Sequence, residues 1–490
     1  MAHACGFQAD SPNRDASEAP VVSVRNSFVP INRIPPEVLS LIPDYYAEGN
    51  VDQDLITLTH VCRGWRDMFT SRSLLWTRLN TSVEKTRTYI QRSHSSPLHL
   101  YLIGGTTIDD AFSLVIPHIH RLKSLTILRN VLPRILRHFC RQTPFLEKLD
   151  IIVIGEAALD GTLFNEDLSS LHELRLHGVT TDLPWKNLAN LQAVNLNFRL
   201  HRYETTQILN FLESAPLLHT VSLAYLMPES SDAPHERIIR LSHLKTFTIS
   251  TRSTRSILLP HLHIPIGASL TSEFHFAGGQ ESPLLDYLPE NSPNFSNLSH
   301  ITRINLLFNP AWKYVKLSGP SGSLRVSFLW RDPSSSKNRQ ILHSLSHPLC
   351  SKIERLAISE YRHSGTAGGC PIFQILSSMD HLRTLILTDC VHLPFTRALD
   401  PEQNISGLVL CLNMKEFTFY VDSFIPSDID HLVKMAKNRA LRGAKLSSFT
   451  FVDTSGGKRR GEVFKLREYV THLQYRINGE PPSWDYNPGE

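Results

Sequence analysis

The chain has 490 residues, 41% of them hydrophobic and 20% charged, and a formal net charge of only +4. That length exceeds what one hydrophobic core usually holds, so it calls for several domains or an elongated repeat array. So small a charge over this length gives no case for a nucleic-acid surface or an anionic membrane as partner. The 7 cysteines are scattered, odd in number and contain no C-x-x-C. They read as the reduced thiols of an intracellular protein of the cytoplasm and/or nucleus.

Residues 1–29 mix Asp, Ser, Pro, Arg and Glu without an apolar run. The expectation is a disordered leader that lacks the form of a secretory signal. No window in the chain approaches the roughly 18 apolar residues of a membrane helix. Ile34 then opens a different stretch. Pro35-Pro36-Glu37 suits a first helical turn, where a missing N–H costs nothing. Val38, Leu39, Ile42 and Tyr45 follow at helical spacing, although Pro43 predicts an early end to that helix. Glu48-Gly49-Asn50 breaks the pattern, and Asp52 or Asp54 can cap a second helix. Leu55, Leu58, Val61, Cys62, Trp65 and Phe69 again follow the 3.6-residue period, and Leu74, Leu75, Trp76 and Leu79 close the segment. Residues 30–80 thus read as three short helices with a large apolar excess, a unit small enough to lean on a partner.

In order, spacing and residue type, this stretch resembles an F-box, the helical module that binds the SKP-type adaptor of cullin-RING (SCF) ubiquitin ligases. The resemblance is carried by Ile34-Pro35-Pro36-Glu37-Val38-Leu39, Ile42, Leu55, Leu58, the block Val61-Cys62-Arg63-Gly64-Trp65-Arg66, and Leu75-Trp76-Thr77-Arg78-Leu79. The segment Ala47–Gln53 departs from the pattern, being longer than the usual turn. The resemblance implies adaptor binding through Ile34, Pro35, Leu39, Ile42, Leu55, Leu58, Val61, Trp65 and Trp76.

From residue 81 the chain repeats L-x-x-L-x-L, which places alternate side chains on one face of a short strand. Copies stand at Leu122-Leu125-Ile127, Leu146-Leu149-Ile151, Leu171-Leu174-Leu176, Leu191-Val194-Leu196, Leu218-Val221-Leu223 and Leu244-Phe247-Ile249. Others stand at Ile301-Ile304-Leu306, Ile353-Leu356-Ile358, Leu382-Leu385-Leu387, Met414-Phe417-Phe419 and Leu446-Phe449-Phe451, with weaker ones at Pro97-Leu100-Leu102 and Thr271-Phe274-Phe276. The gap from 301 to 353 is close to two periods, and Leu324-Val326-Phe328 alternates within it. Helical signals fill the intervals: Leu132, Ile135, Leu136 and Phe139; Ile208, Phe211 and Leu212; Ile372, Ile375, Leu376 and Met379; Ile429, Leu432, Val433 and Ala436. Pro144 and Pro216 stop two of these patterns just before a strand. Asn130 and Cys390 occupy the Asn/Cys turn position of leucine-rich repeats, which the array resembles. The fold class expected is α/β: an N-terminal F-box followed, over 81–455, by an irregular leucine-rich-repeat solenoid of parallel strands with outer helices. Val463, Leu466, Val470 and Leu473 predict one amphipathic cap helix within 456–490.

Chemistry is sparse. His118-x-His120 and His261-x-His263 lack the third and fourth ligands of a zinc site, so no metal is expected, and no cofactor either. Cys370, Cys390 and Cys411 follow the repeat rather than cluster. No nucleophile elbow, P-loop, dinucleotide fingerprint or H-E-x-x-H occurs, so no catalytic residue is assigned and the chain is not expected to be an enzyme. Lys458-Arg459-Arg460 is either a solvated turn or a nuclear-import or anion-binding patch. Polar positions beside the strands, Glu147, Lys148, Asp150, Arg175, Arg303, Glu354, Arg355, Arg383 and Lys415, can form a surface for a target protein. The F-box resemblance therefore implies a substrate-recognition subunit of an SCF-type ligase, acting by proximity. The alternative is a scaffold that never presents its partner to ubiquitin.

Overall fold

The structure is a computed structural model described over residues 29–30, 34–39, 41, 52–103, 108–128, 143–159, 168–181, 188–197, 204–226, 237–251, 258–275, 301–308, 313–320, 322–329, 352–360, 371–404, 406–421, 426–453 and 460–477. The chain divides into two compact units, residues 1–146 and 147–490. Both are mixed α/β. No described helix is long and apolar enough to cross a membrane.

The first unit begins with α1 (Pro36–Leu39), whose Val38 and Leu39 amides both donate to the Pro35 carbonyl. Helices α2 (Asp52–Thr59) and α3 (Arg63–Thr70) follow, and the Arg66 guanidinium reaches back to the Thr59 carbonyl at 3.1 Å. A 3-10 turn at Ser73–Trp76 leads to β1 (Arg78–Leu79), α4 (Val83–Ser93), β2 (Leu98–Ile103), α5 (Ile108–Val115) and β3 (Leu122–Leu128). The three strands are parallel and in register through Leu79, Leu100 and Leu125, with Leu102 opposite Ile127. All five are buried, as the alternation of apolar residues requires. Arg121 stands at the entrance to β3. Its guanidinium donates to the Ser96 carbonyl at 3.0 and 2.6 Å and to the Ser93 hydroxyl at 2.9 Å, tying β3 to the turn after α4. Burial lowers its pKa, and these neutral acceptors compensate part of the desolvation. The helix expected from Leu132 to Phe139, together with Asn130, Ile42, Tyr45 and residues 47–51, lies outside the described residues.

In the second unit β4 (Lys148–Leu159), β5 (Glu173–Thr181), β6 (Ala193–Asn197), β7 (Thr220–Leu226), β9 (Thr246–Thr251) and β11 (Ser269–His275) pair in parallel succession. A separate parallel pair joins β8 (Ile239–Arg240) to β10 (Leu262–His263). The register stacks equivalent positions of the sequence repeat. Leu149, Leu174, Val194, Val221, Phe247 and Leu270 form one row; Ile151, Leu176, Leu196, Leu223, Ile249 and Ser272 form the next. Every one of these side chains is buried. The weak repeat copy expected at Thr271-Phe274-Phe276 is therefore displaced: the residues in register are Leu270 and Ser272. Ser272 breaks the apolar pattern, which is why the sequence motif pointed four residues downstream.

Among its described residues, the gap between 301 and 353 holds three strands rather than two: β12 (Arg303–Phe308), β13 (Lys313–Gly319) and β14 (Gly322–Leu329). β14 contains the alternating Leu324-Val326-Phe328 and pairs in parallel with β11, Leu324 opposite Leu270. β13 is antiparallel to both β14 and β12. Two reversals restore the strand direction, so β12 runs parallel to β15 (Arg355–Ser359). The spatial order is β11-β14-β13-β12-β15, and the row Leu270, Leu324, Leu317, Ile304, Leu356 crosses it without a break. Parallel pairing then continues through β16 (Thr384–Thr388), β17 (Glu416–Val421), β18 (Leu446–Asp453) and β19 (Val470–Ile477).

Helices separate these strands: α6 (Thr205–Ser214), α7 (Pro371–Ser377), α8 (Leu393–Leu399) and α9 (Pro426–Leu441). α6, α7 and α9 bury residues that the spacing singled out, including Ile208, Leu212, Ile372, Ile375, Leu376, Ile429 and Leu432, whereas α8 was not expected. A helix through Val463, Leu466, Val470 and Leu473 does not form. α10 (Arg460–Val463) passes into a 3-10 turn at Phe464–Glu468, and β19 begins at Val470. An i, i+3 pattern fits a helix as well as a turn leading into a strand, and the open edge of β18 offers backbone partners that decide the matter. Leu473 thus lies opposite Phe449, and Tyr475 stacks on Phe451 with centroids 5.9 Å apart.

The repeat also extends upstream of the motif. The amides of Leu171, Leu191, Leu218, Leu244, Leu382 and Met414 each donate to the carbonyl three residues earlier, closing a turn whose first residue is also buried. Two buried charged groups secure the later turns. Arg439, fully buried, donates to the carbonyls of Leu410 and Cys411 at 2.7 and 3.0 Å. Asn438 donates to Asp400 at 2.8 Å. Burial pushes the Cys411 thiol up to about 12, so it packs as a neutral group.

His392 packs edge-on against Phe419 with its Nε2 3.3 Å from Asp428. Burial holds its pKa below the usual 6.5; Asp428 opposes that and His431 adds to it. The unfolded chain therefore takes up this proton more readily than the folded one. The associated stability is present above pH 6.5 and is lost as pH falls below that value. In denaturant titrations between pH 7.5 and 5, His392→Gln is expected to show a shallower loss of stability than the native chain.

Candidate functional site

Two surfaces are candidates, one in each unit. In the first, α3 places Trp65 and Phe69 one turn apart, ring edge against ring face at 5.4 Å, and both are buried. Trp76 sits beneath them. Its indole N–H donates to the Phe69 carbonyl at 2.9 Å, satisfying an acceptor at the C-terminal end of α3. Tyr89 of α4 meets the same ring edge-on at 5.0 Å, and the Arg92 guanidinium lies 4.3 Å over its face. Trp76 therefore joins the last turn of α3 to α4, and it is 0% exposed.

That geometry sorts the residues expected to bind an adaptor. Leu39, Trp65 and Trp76 are buried within the chain, so their side chains are not open to a partner. Ile34, Leu55 and Leu58 are half-buried, and Pro35 is exposed. Val61 is 50% exposed, and Ile42 lies outside the described residues. Three further side chains stand in water: Val38 at 50%, Leu41 at 62% and Leu74 at 72%. Sequence reading missed Leu74 as a surface residue because it took Leu74, Leu75 and Trp76 as one apolar run. Successive residues of a tight turn point different ways, and here Leu75 and Trp76 take the interior.

The pattern that carried the resemblance now has a geometry: a proline-started turn, two short helices joined by the Arg66 contact, and a tryptophan that closes the last turn. Residues 31–82 match the F-box-like family. This chain carries an F-box-like domain. No curated protein matches the chain.

The second candidate surface is formed by polar positions alternating with the buried rows. Lys148 and Glu173 are opposite one another on β4 and β5 and make an ion pair of 2.6 Å. One step along the same strands Asp150 lies 3.5 Å from Arg175. Asp150 is largely buried, and burial raises its pKa against the opposing pull of Arg175, Lys148 and His177. It is thus a strand-to-strand anchor with little surface to offer, while Lys148 and Arg175 remain exposed. Farther along, His177 meets Asn195 at 3.0 Å and Thr246 donates to Thr220 at 3.2 Å.

Glu147, Glu354, Arg383 and Lys415 hold a common place in the repeat. Each carbonyl accepts two successive amides from the neighbouring strand, as the Arg383 carbonyl does from Lys415 and Glu416 at 2.9 Å. The backbone carries the fold there. Glu354, Arg383 and Lys415 are exposed, as is Arg303; Arg355 is half-buried.

The histidine pairs do not converge. His118 and His120 lie in the 3-10 turn Ile116–Arg121, and His261 is buried with Nδ1 3.0 Å from the Arg237 carbonyl. Among the described residues no group of three His, Cys, Asp or Glu could hold a metal ion. Cys390, at the expected turn position, is buried with its thiol donating to the Ile358 and Thr388 carbonyls at 3.2 Å.

Removing Trp76 should create a cavity and leave the Phe69 carbonyl with the Arg72 amide as its remaining donor. Trp76→Ala is expected to cost about 3–5 kcal/mol in chemical denaturation, whereas Leu74→Ser should stay within about 0.5 kcal/mol of the native chain.

Proposed function

We propose that this chain is the substrate-recognition subunit of an SCF-type cullin-RING ubiquitin ligase. The F-box-like domain docks on a SKP-type adaptor, and the strand repeats of the second unit form a leucine-rich-repeat-type solenoid that binds a target protein. The observation that carries this reading is the F-box-like match at residues 31–82. It is supported by the exposed apolar residues of that stretch, since a small unit that buries its tryptophans yet leaves Val38, Leu41, Val61 and Leu74 in water has apolar surface to give to a partner. The solenoid reading is supported by the in-register apolar rows and by the helices between parallel strands.

The chain itself supplies no bond-making group in this scheme. Its contribution is effective concentration: a target held near the ubiquitin-charged machinery reacts as if in the same molecule. Ile34, Pro35, Leu55, Leu58 and Val61 belong to the proposed docking face with Val38, Leu41 and Leu74. Leu39, Trp65 and Trp76 hold that face in shape.

Val38→Asp combined with Leu74→Asp should abolish co-purification with a SKP-type adaptor while the melting temperature changes little. Stoichiometric adaptor binding by the folded double variant would overturn the docking assignment.

A further inference from the structure

The polar faces of the two strand runs differ in how they treat charge. On β4 and β5, opposite charges are matched across neighbouring strands: Lys148 with Glu173, and Asp150 with Arg175. The adjoining strands carry hydroxyls and amides that bond one another, such as Thr246 with Thr220 and Ser269 with Ser323. On β12 and β15 the register sets Arg303 directly opposite Arg355. One row nearer the strand starts, Lys415 follows Arg383, with its amide on the Arg383 carbonyl. Among the described residues, none of these four side chains makes an ion pair or a hydrogen bond. The neighbouring Thr384 and Glu416 are joined to each other at 3.0 Å.

Neighbouring strands are about 4.8 Å apart, and like charges directly opposite one another oppose pairing. Glu354 and Glu416 are the carboxylates that share these rows, so the cations are in excess. The same sheet shows in β4 and β5 that the fold readily accommodates matched charges. Four unmatched cations spread over β12, β15, β16 and β17 therefore form a surface that an incoming anion would complete.

We propose that the strand starts of β12, β15, β16 and β17 dock an acidic, Asp/Glu-rich segment of a partner protein, with Arg303, Arg355, Arg383 and Lys415 as the recognising cations. This deepens the target-binding reading above and rests on it. The layout selects carboxylates. The cations are distributed one per strand across about 14 Å, three strand spacings, which suits single charges along a chain and not one dianion. Glu354 stands among the cations and repels a dianionic phosphate more strongly than a single carboxylate. Two acids in the rows and a net charge of only +4 also disfavour a nucleic-acid backbone.

The test uses the full chain and a fluorescent deca-glutamate peptide, read by polarisation. Binding is expected to weaken with added salt, and Arg303→Glu with Arg355→Glu is expected to weaken it about tenfold or more. Lys437→Glu, on the exposed side of α9, should leave it unchanged. Arg303→Gln with Arg355→Gln, which relieves repulsion without adding acid, should weaken the peptide while the melting temperature holds or rises. Equal affinity of the folded glutamine double variant and the native chain would overturn the proposal. So would tighter binding of a phosphoserine peptide or of single-stranded DNA at equal charge. Adaptor co-purification is measured on the same samples. A native chain that holds the adaptor but ignores the peptide refutes this inference alone; one that binds the peptide but never the adaptor refutes the ligase reading.

Discussion

The second unit depends on one constraint, the register of its parallel strands. Each strand contributes two or three apolar side chains to the interior, and these become a core only when they stand beside their counterparts on the next strand. Leu174 alone covers little; Leu174 between Leu149 and Val194 is part of a closed row. A slip of one residue would turn every such side chain outward and bring the polar positions in. The turns enforce the register at each entrance, because the first leucine of the motif closes a hydrogen bond to a buried residue three places earlier. The same constraint explains how β13 is tolerated. An antiparallel strand enters the sheet only if its own alternation meets both neighbours, and Leu317 and Val315 do so against Ile304 and Leu306.

In the first unit the corresponding role falls to an indole. Trp76 uses every part of itself: its N–H caps a carbonyl of α3, its edge meets Tyr89 and its face carries Arg92. The consequence is a division of labour among apolar residues that look alike in sequence. Some are consumed in making the unit, and Val38, Leu41, Val61 and Leu74 remain exposed to water.

Charge follows the same logic. Where the sheet is stabilised by its own polar face, opposite charges sit across from one another, and Asp150 is drawn in far enough for burial to raise its pKa despite the adjacent cations. Where arginines face one another, the backbone bonds of the repeat hold the strands together without help from the side chains. Polar surface can then be given over to recognition at little expense to the fold.

Much of this was legible in the residues themselves. Period-two alternation of leucines located β2 to β7, β9, β12 and β14 to β18, because alternation follows from backbone geometry alone. Helical spacing located α6, α7 and α9, and the proline start with the Val-Cys-Arg-x-Trp block singled out the stretch that matches the F-box-like family. Other features needed the folded chain. Whether Leu74 or Leu75 enters the interior depends on the direction of one turn, and burial of Trp76 depends on α4, a helix that follows the motif. The paired row at Leu270 and Ser272, the reversal at β13 and the strand at Val470–Ile477 depend on which edge is free to accept them. Local pattern determines what a segment can become; the neighbour that satisfies its backbone and covers its apolar face determines which of those possibilities is realised.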